Sequence, residues 1–146
     1  ELARRCVEAG ADPVRIGQVA YDSFSLGRVR LIGELLHGMQ LDGEGRLAIL
    51  RLTPDVHHRA GSTADETEGL INLPFTAQEI RAVCLLRSDE DGVTRVSLRS
   101  KGTIDVRAVA QHFGGGGHFN ASGFTTQDSL ASVEAVLLPL LRSALS

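Results

Sequence analysis

Four consecutive glycines followed by a histidine, Gly114-Gly115-Gly116-Gly117-His118, constrain this chain more than any other stretch. Glycine loses more backbone freedom on ordering than any other residue. A folded chain therefore keeps four in a row where φ must be positive or where something must approach the backbone closely. Two readings compete. In one, successive unobstructed N–H groups form a concave nest for an anion such as phosphate or carboxylate, with His118 at the rim to donate to a phosphate oxygen. In the other, the run is a hinge or an extended helix C-cap, for which one glycine is enough. Four glycines and a histidine favour the anion site.

The flanking patterns supply the frame. Leu2, Cys6, Val7 and Ala9 mark a short amphipathic helix that stops at Gly10, and Asp12-Pro13 starts a second, with Asp as N-cap and Pro at the first helical position. A third runs from Leu26 through Leu35, Leu36 and Met39 and ends near Gly38 or Gly43. Short helices with narrow apolar stripes make a poor core alone, so residues 1–40 read as a helical linker segment and 41–146 as the domain proper. From Arg46 the texture changes to a short aliphatic strand through Leu52, a small helix from Thr53-Pro54 and another over Thr63 to Leu73. Ile80 to Arg87 and Val93 to Ser100 read as a hairpin across a turn at 88–92. Ile104 to Phe113 is the helix that the glycines terminate, with Asp105 as N-cap. Ser129 opens a last helix in which Pro139 predicts a kink or an early break. The expected fold is α/β, a small mixed sheet flanked by helices, preceded by the helical linker.

Within the hairpin, period-two alternation sets Arg95, Ser97 and Arg99 on one face and Val96 and Leu98 on the other. A guanidinium suits bidentate contact with phosphate. Arg99, with Ser97, Ser100 and Lys101 beside it, precedes the glycines by one helix, and a strand end and a later loop can line one crevice.

Other chemistries find less support. Asp55-Val56-His57-His58 resembles a metal cluster, but adjacent helical residues point about 100° apart and cannot share an ion from one face; no metal site and no catalytic residue is expected. No Gly-x-Ser-x-Gly elbow occurs, and no Lys-Ser or Lys-Thr follows the glycines as a Walker loop requires. Asp65, Glu66 and Glu68 read as partners of a helix dipole. With 15 Lys and Arg against 18 Asp and Glu, the net charge of −3 leaves no basic excess for an extended nucleic-acid surface. At 4% aromatic residues and no Trp, a base-stacking platform is unexpected too. A nucleic-acid-like ligand should be short and held by a few placed groups. Cys6 and Cys84 form no C-x-x-C pair and read as free thiols, pointing to the cytoplasm. No apolar run approaches a membrane span and no signal peptide is evident.

Asp65-Glu-Thr-Glu-Gly-Leu-Ile-Asn72, Val96-Ser-Leu-Arg-Ser-Lys-Gly102, Ile104-Asp-Val-Arg-Ala-Val-Ala110 and Gly114-Gly-Gly-Gly-His-Phe-Asn-Ala-Ser-Gly-Phe124 follow one another. In this order and spacing they resemble the DHHA1 domain of DHH-family phosphoesterases, in the branch of oligoribonucleases and 3′-phosphoadenosine-phosphate phosphatases. The resemblance covers roughly the last hundred residues. It implies a substrate-binding domain that closes on an N-terminal DHH catalytic domain carrying manganese, a domain whose motifs are not in this chain. It implies that Arg99, Gly114, Gly115, Gly116, Gly117 and His118 meet the substrate, with Ser97, Ser100 and Lys101 as secondary contacts. The ligand would be a short RNA or small phosphorylated nucleotide, and no cofactor would be held here. The isolated chain would bind without hydrolysing. A related domain ends alanyl-tRNA synthetases, so an RNA-binding or regulatory module is the alternative; a homodimerisation domain is the third.

Overall fold

The computed structural model describes residues 1–21 and 24–146. Helices α1 (Leu2–Glu8), α2 (Pro13–Tyr21) and α3 (Leu26–His37) lead into a six-stranded sheet of order β1-β2-β3-β4-β6-β5. The strands are β1 (Gln40–Asp42), β2 (Leu47–Leu52), β3 (Ala82–Ser88), β4 (Thr94–Ser100), β5 (Gly116–His118) and β6 (Ala121–Thr126). Only the β2–β3 pair is parallel among these neighbours. Its crossover contains α4 (Pro54–Ala60) and two 3₁₀ segments, Ala64–Thr67 and Leu70–Thr76. Helices α5 (Val106–His112) and α6 (Leu130–Leu145) complete the chain. The α/β mixed sheet with helices at the N-terminus is the one the sequence predicts.

Alternation along the strands builds two separate apolar layers. Leu47, Ile49, Ala82, Cys84, Leu86, Val96, Leu98 and Phe124 face α5 and α6, which contribute Val106, Val109, Leu137 and Leu141. On the opposite face Ala48, Leu50, Leu52, Val83 and Leu85 meet Leu31 and Leu35 of α3, Ala60 of α4, and Leu70 and Ile71. That second layer stops at β3. The residues of β4 on this face are Arg95, Ser97 and Arg99, and no apolar side chain there recruits a covering helix. The sheet is thus covered on both faces over β2 and β3 and on one face over β4, β6 and β5.

Several local expectations need correction. Of the two ends offered for the third helix the structure takes the first, stopping at His37 with Gly38 as its C-cap, and Gln40–Asp42 before Gly43 pairs as an edge strand. The stretch from Thr63 to Leu73 is two 3₁₀ segments rather than one helix. Gly69, at φ 76°, breaks it, and Pro74 removes a backbone donor from the second segment. Of the three acids only Glu66 caps its start, in a capping box where its carboxylate accepts from the Thr63 N–H at 2.8 Å; Glu68 lies at the other end of the segment. Pro139 neither breaks nor ends α6, which continues to Leu145. Its buried stripe of Val133, Leu137, Leu141 and Leu145 outweighs one lost hydrogen bond. The bidentate Arg51–Glu134 pair, at 2.5 and 2.8 Å, ties the helix to β2. Leu2 and Val7 of α1 and Val14, Ile16 and Val19 of α2 are exposed, whereas α3 contributes to the core.

Candidate functional site

The glycine run has four different local environments. Asp105 caps α5 by accepting from the N–H groups of Arg107 and Ala108, and the helix closes as a Schellman motif. The Gly114 N–H donates to the carbonyl of Gln111 and the Gly115 N–H to that of Ala110, both at 3.0 Å, with Gly114 left-handed at φ 72°. The four amides therefore do not form one open nest, because the helix consumes two of them. Gly115 is required by packing: a Cβ there would lie 2.3 Å from the Gly123 oxygen and 2.5 Å from the Phe124 Cβ. Gly117 is required twice over, by φ 136° and by the Ala121 oxygen 2.6 Å from any added Cβ. Gly116 has an ordinary φ and open space where its Cβ would be. Neither its own conformation nor its neighbours call for glycine.

Gly116–His118 forms the edge strand rather than a loop, which gives the site a fixed register. Gly116 pairs with Gly123, which pairs with Ser97, and His118 pairs with Ala121, which pairs with Arg99. Two parallel rows, Ser97-Gly123-Gly116 and Arg99-Ala121-His118, thus cross β4, β6 and β5. Paired residues share a face, and this is the face without a helix. The centre of the surface is Gly123 and Ala121, and its flanks are Ser97, Arg99 and His118. Gly123 must be bare, since a Cβ there would sit 2.5 Å from the Val96 oxygen. As an edge strand β5 also leaves alternate backbone groups without a neighbouring strand.

Side-chain bonding sorts the remaining sequence candidates. The Arg99 guanidinium donates to the carbonyl of Leu98 at 3.0 Å and, among the described residues, faces no carboxylate within ion-pair distance. Ser100 is a structural residue, its hydroxyl donating to the Ile104 carbonyl at 2.7 Å and accepting from Asn120 at 2.8 Å. Lys101 straps the 3₁₀ segment to the sheet through the Phe75 carbonyl at 3.1 Å and lies over the Phe75 ring. Asn120, which the sequence reading did not single out, also donates to the carbonyls of Gly102 and Ile104 and so holds β5–β6 to the end of β4. Its place two residues after His118 was the available signal. Beneath the surface, Phe113 and Phe124 stack at 4.3 Å and the buried Ser122 hydroxyl donates to the Val106 carbonyl at 2.6 Å.

The residues present do not suit manganese. Among the described residues no group of three His, Cys, Asp or Glu is placed to hold a metal ion. His57 bonds Ser62 at 2.8 Å through Nδ1. Burial raises the Cys84 thiol pKa, which keeps it protonated. Among the described residues no helix is long and apolar enough to cross a membrane.

The family model described as the DHHA1 domain matches residues 45–145. The probable bifunctional oligoribonuclease and PAP phosphatase NrnA of Streptococcus mutans is 30% identical over 115 residues, 79% of this chain and 36% of that protein. The bifunctional oligoribonuclease and PAP phosphatase NrnA of Thermus thermophilus is 34% identical over 66% of this chain and 28% of its own length. Its Bacillus subtilis counterpart is 31% identical over 67% and 30%. The chain thus spans about a third of the curated relatives it matches. An exopolyphosphatase-related protein from Bacteroides fragilis superposes with a TM-score of 0.82 at 27% identity, over 94% of this chain and 40% of that one. A pGpG-specific phosphodiesterase from Vibrio cholerae shares the fold, at a TM-score of 0.59 and 11% identity over 81% of this chain and 39% of its own. The Ser97-to-Ser100 strand and the glycine edge strand both lie inside the matched region, and the chain belongs to the DHHA1 domain family.

Proposed function

We propose that this chain is the substrate-holding module of a DHH-type phosphoesterase that acts on short oligoribonucleotides or small phosphorylated nucleotides. In this reading residues 1–40 link it to an N-terminal catalytic domain in a cytoplasmic enzyme. That domain would carry manganese, which supplies an activated water; the present chain supplies grip and orientation.

The observation that carries the reading is the Arg99-Ala121-His118 row, with its small-residue centre and uncovered face. Arg99 offers a planar fork to a phosphate oxygen pair, and His118 offers a second donor across the bare centre. Gly116 allows the ligand to approach the edge of the sheet without meeting a side chain. The relatives are named as oligoribonucleases and PAP phosphatases, and the reading takes its substrate classes from those names.

Calorimetric titration with a 5′-phosphorylated dinucleotide tests it. Arg99→Ala and His118→Ala should each weaken binding by about tenfold or more, the cost of one charge-assisted hydrogen bond. Unchanged affinity in both variants, with the fold intact, would show that the ligand lies elsewhere.

A further inference from the structure

The opposite end of β4 holds an unbalanced positive charge. A cavity of about 450 Å³ opens where the parallel strands β2 and β3 end, between α4, the first 3₁₀ segment and the β3–β4 turn. Leu52, His57, Ser62, Ala64, Arg87 and Arg95 are on its lining. Crevices outside the carboxyl ends of parallel strands are where open α/β sheets bind ligands, and the volume is that of a small-molecule site.

Arg87 and Arg95 stand directly opposite each other on β3 and β4. Like charges in that relation repel. Arg95 is compensated by Asp89 at 2.5 Å. Arg87 has no such relief: its Nε is buried without a hydrogen-bond partner, and among the described residues it joins no ion pair. Of the two carboxylates on the lining, Asp89 is held by Arg95 and by the Val93 N–H, and Glu90 lies on the exposed turn. The cavity is therefore lined by a partly buried guanidinium that has neither a side-chain hydrogen bond nor an ion pair among the described residues. Burial and the neighbouring Arg95 both lower the Arg87 pKa, as expected of a cation that lacks its counter-ion. An orphaned buried donor of this kind calls for an explanation, and a ligand is one.

We propose that this cavity is a second anion site, that its ligand is a phosphate group carried by a nucleotide, and that Arg87 is the central cation, with His57 and Ser62 as further polar contacts. The anion site stands on Arg87 and does not depend on the Arg99 surface; that the phosphate is a nucleotide's rests on the proposed function. It does suggest a relation between them. Arg95 and Arg99 share a face of β4 four residues apart, about 13 Å. The phosphate at Arg87 is then either a further phosphate of the oligonucleotide held at Arg99 or that of a separate mononucleotide.

The test uses the full 146-residue chain, with 5′-AMP and a 5′-phosphorylated tetranucleotide as probes. Arg87→Met removes the cation, and Ala64→Glu places a carboxylate at the exposed mouth. Circular dichroism checks that both fold. If one strand spans both sites, tetranucleotide affinity falls at least tenfold in both variants and 5′-AMP affinity does not. If the ligand is a separate mononucleotide, the Arg99→Ala protein still binds 5′-AMP, and adding Arg87→Met abolishes that binding. A further signature separates a binding residue from a structural one. Arg87→Met should melt no lower than the parent without ligand, because it removes an unpaired, partly buried charge, while losing the ligand-induced rise in Tm. Parent-like affinity for both probes in Arg87→Met and Ala64→Glu, or a Tm well below the parent in Arg87→Met, overturns the assignment.

Discussion

Arg99 and His118 both register on Ala121 from opposite sides, so two strand spacings, about 10 Å, separate their backbones across a centre with no large side chain. Such a gap admits a phosphate that accepts from both. It arises from the pairing of β6 between β4 and β5, which joins two sequence motifs that a whole helix separates.

The glycines should respond to alanine in different ways. Gly115→Ala and Gly117→Ala force a Cβ into backbone atoms and should cost about 1–3 kcal/mol or more in urea denaturation. Gly116→Ala meets open space and should leave stability within about 0.5 kcal/mol, while weakening phosphodinucleotide binding severalfold. A Gly116→Ala protein that binds as the parent does would remove the backbone edge from the ligand contacts.

Salt dependence should be shallow. If Arg99 and His118 meet one or two phosphates of a single strand, log K against log salt should have a slope between about −0.7 and −1.4. A much steeper slope in a titration across potassium chloride would point to an extended RNA surface of the kind a tRNA-binding module uses.

Stability should fall on mild acidification through His57. Burial holds its pKa below the ordinary histidine value, and Glu66 only partly opposes the shift. The unfolded chain then binds the proton more readily. The contribution is full above about pH 6.5 and is lost as pH falls through the depressed folded value. Urea midpoints between pH 7.5 and 5 should drop in the parent and drop less in His57→Gln. Asp42, whose carboxyl is held low by its hydrogen bond to Arg142, acts in a lower window.

What the sequence made legible was the part governed by local periodicity. The alternation through Val96, Ser97, Leu98 and Arg99 sorted the core face from the face without a covering helix, and Asp105 marked the start of α5. The three residues of β1 carry too little pattern to register, and their pairing depends on β2. The separate roles of the glycines were hidden because Gly115 answers to Phe124 and Gly117 to Ala121 and Ser122, across a pairing that no local window contains. Arg87 was equally obscure. An arginine near the end of an apolar strand looks solvated until the hairpin register sets it against Arg95 and the crossover closes over it.

The one-sided covering of β4, β6 and β5 separates two jobs that most small domains ask the same residues to share. Val96, Leu98 and Phe124 secure the architecture from behind, while Ser97, Arg99 and His118 stand in front of it, outside that core. The front rank of such a chain can be rewritten with the masonry behind left as it was.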